Sequence, residues 1–234
     1  MHALAKAGFT QSYTYFTWRN TKSELTEYLT ELTQSGVEQY LRPNFFVNTP
    51  DILQEFLQKG GPPAFRTRLV LAATLSPSYG IYSGFELCEN EEKAPGSEEY
   101  LNSEKYEIRV RDWNKPGNIK DLIRKVNAIR RENPSLQYLA NLKFFSADSD
   151  QMLFYGKVSP DKSNVILVVV NLDPFHPHQC TVSLPLEEIG VPKGGTFEVT
   201  DLLTGGRYTW GERNFVRLDP QAEPAHILRV ERSI

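Results

Sequence analysis

The first half of the chain alternates strand-like apolar runs with amphipathic helical patterns. Residues 11–18 are rich in Tyr, Thr and Phe, a composition typical of a β-strand. The run Thr21-Lys-Ser-Glu24 has the spacing of a capping box, in which a hydroxyl and a carboxylate satisfy free amides where a helix begins. Gly36 is suited to end that helix. On its buried face we expect Leu25, Tyr28, Leu29 and Leu32, which recur at helical spacing.

The same alternation is repeated twice before residue 134. The predicted elements are a strand at 44–48, helical segments at 50–57 and 64–75 with a break at 60–63, a short strand at 79–82, and a helix from Asn118 to Asn133-Pro134. The polar segment 86–113 has few aliphatic side chains, and its length is typical of a functional insertion. We expect this segment to contribute to a site.

After about Leu139 the pattern changes to short apolar runs separated by Pro, Gly and Asp. Such spacing predicts an antiparallel β-sandwich. The predicted strands lie at 152–156, 165–172, 180–184, 196–200, 214–218 and 226–230. The fold class is therefore α/β plus all-β, with about three βα units in residues 1–137 and a sandwich in residues 138–234. Three parallel strands leave an unpaired sheet edge, so we expect further chain upstream.

Composition narrows the classes of function. The 234 residues are 40% hydrophobic and 24% charged, and their net charge is -3, which gives no basic excess for nucleic acid or an anionic membrane. No apolar run approaches the length of a membrane span, and the N-terminus lacks the pattern of a signal peptide, so we expect a cytoplasmic protein. Cys88 and Cys180 are expected to be reduced core thiols.

Two other features could suggest ligand sites. His176-Pro-His178 has no evident carboxylate or Cys partner at metal-ligand spacing, so we interpret it as a surface turn and expect no metal. The Gly pairs at 194–195 and 205–206 fall between strands and are interpreted as turns rather than phosphate loops. No cofactor is expected.

Asp51 is the leading candidate for chemistry. It ends the run Asn44-Phe-Phe-Val-Asn-Thr-Pro-Asp51, an apolar strand that stops in a polar turn. In (β/α)₈ barrels the chemistry lies at the carboxyl ends of the strands, which favours a catalytic carboxylate. Thr-Pro-Asp is equally typical of the start of a helix, because Pro presets φ and an early Asp complements the helix dipole. This segment alone favours the helix start.

Motifs in chain order resemble the C-terminal part of an α-amylase superfamily enzyme. Phe46-Val-Asn-Thr-Pro-Asp51 is similar to the strand-seven motif Phe-x-x-Asn-His-Asp, and Ile81-Tyr-Ser-Gly-Phe-Glu86 to the strand-eight motif Ile-Tyr-Tyr-Gly-x-Glu. Arg130-Arg-Glu-Asn-Pro134 resembles the end of the last barrel helix. Thr49 and Pro50 depart from amylases but match the Asn-Thr-Pro-Asp form of the α-1,4-glucan:maltose-1-phosphate maltosyltransferases. Residues 11–20 and 83–90 also resemble that group most.

The resemblance implies roles for three residues. Asp51 would be the transition-state-stabilising carboxylate, and Lys105 with Tyr106 would bind the maltosyl donor. A Lys ammonium and a Tyr ring suit sugar binding, although without the resemblance Lys105 would be read as a solvated loop charge. Glu86 is expected to be a buried structural acid. The nucleophilic Asp and the acid/base Glu would precede Met1, so we expect the isolated chain to be inactive.

The implied function is transfer of maltosyl units from maltose 1-phosphate to the non-reducing end of an α-1,4-glucan, with retention and phosphate release. The donor and the glucan would be its partners, and we expect the full-length protein to form a homodimer. Two alternatives stay open on sequence alone. One is an α-glucan hydrolase or transglycosylase of the same superfamily, and the other is a non-catalytic carbohydrate-binding module.

Overall fold

The computed structural model describes residues 1–231. The helices are α1 (His2–Lys6), α2 (Lys22–Gln34), α3 (Glu55–Leu75) and α4 (Lys120–Glu132). Short 3-10 turns occupy Tyr15–Trp18, Val37–Gln39, Phe85–Leu87, Pro134–Gln137 and Leu186–Ile189. Among the described residues, no helix combines the length and apolar character that a membrane crossing requires.

The first half contains a small parallel sheet. Its strands are β1 (Ser12–Tyr13), β2 (Pro43–Phe46) and β3 (Tyr79–Gly80), in that spatial order. Helix α2 connects β1 to β2, α3 connects β2 to β3, and α4 follows β3. The predicted alternation of strand and helix is therefore present, with shorter strands than predicted.

The predicted strand at residues 11–18 is wrong beyond Tyr13. The hydroxyl of Thr14 accepts a hydrogen bond from the Phe16 amide and begins the 3-10 turn Tyr15–Trp18. The Tyr15 amide donates to the Tyr28 hydroxyl at 3.2 Å instead of to a neighbouring strand. Local side-chain acceptors thus compete with the β ladder, as Thr does at turns.

The helix predictions were partly confirmed. Thr21 and Glu24 form the capping box at the start of α2. The helix predicted at residues 50–57 is wrong at its start, because Thr49–Ile52 closes a turn with reciprocal backbone bonds of 3.2 Å and α3 begins at Glu55. The predicted break is present inside α3, where Gly61 has φ 54° and ψ -150°, a conformation that only Gly adopts without strain.

The second half is an eight-stranded antiparallel sheet in the order β10-β7-β4-β5-β6-β11-β8-β9. Strand β4 pairs with β5 through its first residues and with β7 through its last two, so it joins the two layers of the sandwich. The strands are β4 (Leu142–Ala147), β5 (Met152–Val158), β6 (Val165–Asn171), β7 (His178–Ser183), β8 (Phe197–Asp201), β9 (Arg207–Trp210), β10 (Arg213–Leu218) and β11 (Ala225–Glu231).

Two of these strands were missed by the sequence prediction. Strand β9 lies at a sheet edge and exposes three of its four residues, and β4 shows no regular alternation of buried and exposed positions. The six predicted strands were confirmed with small shifts in their ends.

Two hydrophobic cores meet at the central strands. Leu153, Tyr155 and Val168 belong to a core shared with α3 and the parallel sheet, whereas their neighbours Phe154 and Val169 belong to the core inside the sandwich. Burial on both faces explains the continuous apolar run of β6. The first core contains side chains from both sides of the predicted boundary at 137/138, so that boundary stays a prediction.

Arg68 of α3 is fully buried. Its guanidinium donates to the carbonyls of Arg19 at 2.6 Å and Phe16 at 2.8 Å, and lies 4.0 Å from the centre of the Phe16 ring. Burial lowers the pKa of Arg68 to about 9. The contacts fasten the segment after β1 to α3.

We expect Arg68→Met to lower the free energy of unfolding by about 3 kcal/mol, because two carbonyls lose a charged donor in a buried place. Chemical denaturation of the chain measures the change. Arg124→Met is the matched control, since Arg124 is exposed on α4 and pairs with Asp121, and it should change stability by less than about 0.5 kcal/mol. Equal effects of the two substitutions would contradict the role given to Arg68.

Lys157 of β5 is also fully buried, and its ammonium donates to the Tyr138 carbonyl at 2.5 Å. Burial, with a smaller contribution from Arg130, lowers the pKa of Lys157 to about 7. Between this pKa and the ordinary Lys pKa near 10.4, unfolding takes up a proton.

The free energy of unfolding should therefore rise with pH above about 7, by at most about 1.4 kcal/mol per pH unit from this group. Denaturation at several pH values between 7 and 10 measures the slope. Lys157→Met removes the titrating group, so the slope of the substituted chain should be smaller by that amount. Identical slopes in the two chains would show that Lys157 is charged in the folded state.

Candidate active site

The turn after β2 presents Asp51 to solvent. Val47 continues from β2 and its amide donates to the Gly80 carbonyl at 3.1 Å, so the chain leaves the sheet only at residue 48. Pro50 presets φ in the turn, and the Asp51 amide donates to the Thr49 hydroxyl at 3.3 Å. The Asp51 side chain is 61% exposed. A carboxylate therefore stands beyond the carboxyl end of a parallel strand.

The buried side chain of Asn48 holds this turn in place. It is fully buried; its side-chain amide donates to the Tyr100 hydroxyl at 2.7 Å, and its side-chain oxygen accepts from the Tyr82 amide at 3.0 Å. Burial raises the pKa of Tyr100, so its hydroxyl stays protonated. Asn48 therefore connects the end of β2 to the chain after β3 and to the polar segment.

Lys105 forms an ion pair with Asp51. Its ammonium lies 2.5 Å from Asp51 Oδ1, and the Lys105 side chain is 38% exposed. The hydrogen bond to Asp51, and a further contribution from Tyr106, raise the pKa of Lys105. The structure thus brings together two residues that the sequence placed 54 positions apart and assigned to one site.

Glu99 joins Tyr106 to the same group. Its carboxylate accepts from Lys93 at 2.8 Å, from Lys105 at 3.4 Å and from the Tyr106 hydroxyl at 3.5 Å. Hydrogen bonds from Lys93 and Lys105 lower the pKa of Glu99. The ammonium groups of Lys93 and Lys105 lie 5.1 Å and 5.3 Å from the centre of the Tyr106 ring. All three predicted site residues therefore belong to one polar cluster.

Lys93 and Glu99 were missed by sequence reasoning. Both lie in the polar segment, which carries many charges, and no pattern in the sequence distinguishes these two from their neighbours.

Two carboxylates and two ammonium groups balance in charge within the cluster. An exposed carboxylate, an ammonium group and an aromatic ring suit the binding of sugar hydroxyls and a sugar face.

Glu86 is half-buried rather than buried, and its carboxylate accepts from the Gly84 amide at 3.0 Å. It stabilises the turn after β3, which agrees with the structural role expected for it.

Cys88 and Cys180 are buried and free, as expected, and burial raises the pKa of both thiols to about 11.

The interpretation of His176-Pro-His178 needs a correction, because Asp173 supplies a carboxylate partner. One oxygen of Asp173 lies 2.9 Å from a ring nitrogen of each histidine. Burial opposes the charge, but hydrogen bonds from His178, the Phe175 amide and His176 outweigh it and hold the pKa of Asp173 at about 2. The sequence prediction overlooked an Asp three and five positions away.

A second group could hold a metal ion by its residue types. Asp201, Glu223 and His226 place one ligand atom each within 4.8 Å of one another. Asp201 is, however, already the acceptor for Thr204 at 2.7 Å and for His226 at 3.0 Å, and its other oxygen accepts two backbone amides. Asp201 is thus satisfied as a structural link between β8 and β11.

The fold is similar to that of α-amylases. The superposition on the α-amylase of Geobacillus thermoleovorans covers 100% of this chain and 51% of the amylase chain, with a TM-score of 0.72 and 13% sequence identity. The superposition on the maltogenic α-amylase AmyB of Thermotoga neapolitana covers 97% of this chain and 52% of the AmyB chain, with a TM-score of 0.64 and 14% sequence identity. The chain therefore has an α-amylase-type fold that includes the C-terminal β-sandwich.

Sequence comparison defines the group more narrowly. Residues 144–230 match the family described as "GLGE, C-terminal". The α-1,4-glucan:maltose-1-phosphate maltosyltransferase of Rhodospirillum rubrum is 57% identical over 98% of this chain, and maltosyltransferase 1 of Streptomyces coelicolor is 54% identical over 99%. The chain is a relative of these maltosyltransferases, and the resemblance noted in its motifs is confirmed. It spans about a third of their length, 33% and 34% respectively.

We expect Tyr100→Phe to lower the free energy of unfolding by about 1–2 kcal/mol, because the buried Asn48 amide loses its acceptor at 2.7 Å and keeps only the Tyr82 carbonyl at 3.5 Å. Amide hydrogen exchange at residues 99–106 should become faster, since the Asn48–Tyr100 bond holds the polar segment to β2. Tyr13→Phe is the matched control, because Tyr13 is 68% exposed. Unchanged exchange in Tyr100→Phe would show that this bond does not hold the segment.

Proposed function

We propose that residues 1–137 are strands six to eight of a (β/α)₈ barrel with their helices, and that residues 138–234 are the domain C that follows it. The parallel order β1-β2-β3 and the helices between the strands support this assignment. Strands β1 and β3 are the outer strands of the sheet and leave their other edges for neighbours in a closed barrel.

We infer that the full-length protein, meaning this chain joined to the further two thirds that its relatives possess, transfers maltosyl units. The donor is maltose 1-phosphate, the acceptor is the non-reducing end of an α-1,4-glucan, and phosphate leaves. The observation that carries the proposal is the Asp51–Lys105 pair of 2.5 Å beyond the carboxyl end of β2. The choice of substrates is supported by the names of the relatives and by their sequence identity to this chain, 57% and 54%.

The proposed role of Asp51 is to bind the sugar ring of the donor. Its carboxylate accepts hydrogen bonds from two ring hydroxyls, and these bonds strengthen as the ring becomes oxocarbenium-like. A contact that is stronger in the transition state raises kcat. The sugar replaces Lys105 as the partner of Asp51, and the released ammonium donates to the donor.

The nucleophile and the acid/base belong to the rest of the full-length protein in this proposal. Retention requires two such carboxyl groups about 5–5.5 Å apart, one forming a glycosyl ester and one giving a proton to the phosphate oxygen. The same group then removes a proton from the acceptor hydroxyl that attacks the ester. Asp51 takes part in neither bond change.

The remaining expectations are proposals of the same kind. The full-length protein acts as a homodimer in the cytoplasm, with no nucleic acid or membrane partner and no cofactor. The net charge of -3 is consistent with the absence of a nucleic-acid partner.

The test is phosphate release from maltose 1-phosphate with a maltooligosaccharide acceptor. The full-length protein should release phosphate, Asp51→Asn should lower kcat about 10²- to 10³-fold, and the isolated 234-residue chain should be inactive. Asp161→Asn is the matched control, because Asp161 lies in a sandwich turn and bonds Ser159 and Ser163. Full activity of Asp51→Asn, or turnover by the isolated chain, would contradict the proposal.

A further inference from the structure

Arg111 occupies an unusual position for a charge in a loop. Its side chain is only 4% exposed, and it joins two carboxylates. Nε donates to Glu89 Oε1 at 3.1 Å and Nη1 donates to Glu104 Oε1 at 2.7 Å. The other oxygen of Glu104 accepts from the Tyr82 hydroxyl at 3.3 Å. Arg111 therefore links the chain after β3 to the residue directly before Lys105.

The fold makes room for this link at Gly84. Gly84 has φ +97°, and a Cβ there would lie 2.1 Å from Glu89 Oε2 and 3.2 Å from Arg111 Nε. The Glu89 carboxylate therefore occupies the space that a side chain would fill, and its side chain is 12% exposed. The Ser83-Gly-Phe-Glu-Leu-Cys-Glu-Asn90 motif thus contributes a buried anchor for Arg111.

The segment around Lys105 is held by polar contacts rather than by apolar packing. Lys105 and Tyr106 lie in a turn in which the Tyr106 amide donates to the Ser103 carbonyl at 3.0 Å. Ile108 and Val110 are 97% and 93% exposed, so apolar packing does not hold the residues that follow. On the C-terminal side of Lys105 the fixed charges are Arg111 and Arg109, which lies 3.3 Å from Glu89 and donates to the Leu101 carbonyl at 3.0 Å. Only Arg111 contacts Glu104, the residue directly before Lys105.

We propose that Arg111 is a positioning residue for Lys105, acting through Glu104. It fixes the Glu104 backbone against the buried Glu89, so that the Lys105 ammonium reaches Asp51 and, in the full-length protein, the donor. The inference rests on the proposed function for its effect on turnover. Its structural part, that Arg111 holds the turn of Lys105, is independent of that function.

Amide hydrogen exchange tests the structural part without any assay of activity. In the full-length protein, Arg111→Gln should make exchange at the Lys105 and Tyr106 amides about tenfold faster, while exchange in the sandwich strands stays unchanged. Unchanged exchange at both amides would overturn the proposal, whether or not the protein turns over maltose 1-phosphate. If Arg111→Gln fails to fold, Glu104→Gln is the second variant. It removes the charged partner of Arg111 and should speed exchange at the same two amides.

A double-mutant cycle tests the route through Lys105. In the full-length protein with Lys105 present, Arg111→Gln should lower kcat/KM for the donor about 10- to 100-fold. Arg111→Lys should lower it less, because lysine retains the charge. In a Lys105→Ala background, Arg111→Gln should change kcat/KM less than about twofold. Equal factors in both backgrounds would mean that Arg111 acts on something other than Lys105.

Arg124→Gln controls for the loss of one cation and should leave all these quantities unchanged, because Arg124 is exposed on α4. If the parent itself releases no phosphate from the donor, the proposed function fails, and hydrogen exchange still decides the positioning role.

Discussion

The burial of α3 between the parallel sheet and the β-sandwich is the constraint on which the rest of the structure depends. From Ala64 to Leu75 nearly every side chain of this helix is buried. Polar contacts fasten it on both sides: Arg68 binds the carbonyls after β1, Arg66 binds three carbonyls before β11, and the Thr74 hydroxyl lies 2.7 Å from the Tyr155 hydroxyl. Gly60 lets Pro174 of the sandwich approach closely, since a Cβ there would lie 2.8 Å from the proline ring.

The position of the candidate site follows from that constraint. The turn that carries Asp51 lies between β2 and α3, and both of its ends are held by buried backbone. The polar segment reaches the turn through one backbone bond, from the Leu53 amide to the Glu98 carbonyl at 2.6 Å, and through two side-chain contacts, Asn48 with Tyr100 and Asp51 with Lys105. A carboxylate in a turn of the scaffold, in contact with a polar loop, is the arrangement expected where function lies on loops over a fixed scaffold.

Much of the fold could be predicted from the sequence, for reasons that are visible in particular residues. The capping box at Thr21 and the continuous apolar run of β6 are local signals, and local structure followed them. The first strand was predicted too long because the Tyr28 hydroxyl, fifteen residues past Tyr13, takes an amide that a strand would have used. The helix at residues 50–57 was predicted to begin too early because Thr-Pro-Asp is typical of a helix start, whereas the bridge between Thr49 and Ile52 makes this segment a turn.

The candidate site was less evident in the sequence than the fold. Asp51 was singled out by its position after an apolar strand and received its role from the resemblance of motifs, whereas Lys105 and Tyr106 were selected through the resemblance. Glu99, Lys93 and Arg111 could not be found in this way, because a charged residue in a polar segment has the same appearance in sequence whether it is solvated or paired. The partner that distinguishes them lies across the fold, as Glu89 does for Arg111 at 3.1 Å.

The most direct measurement of the central claim is a crystal structure of the full-length protein with maltose 1-phosphate bound. We expect Asp51 to lie within about 3 Å of two hydroxyls of the donor ring, the Lys105 ammonium to have left Asp51 for the donor, and Tyr106 to contact the sugar. A donor bound elsewhere, with the Asp51–Lys105 ion pair intact, would contradict the role proposed for Asp51.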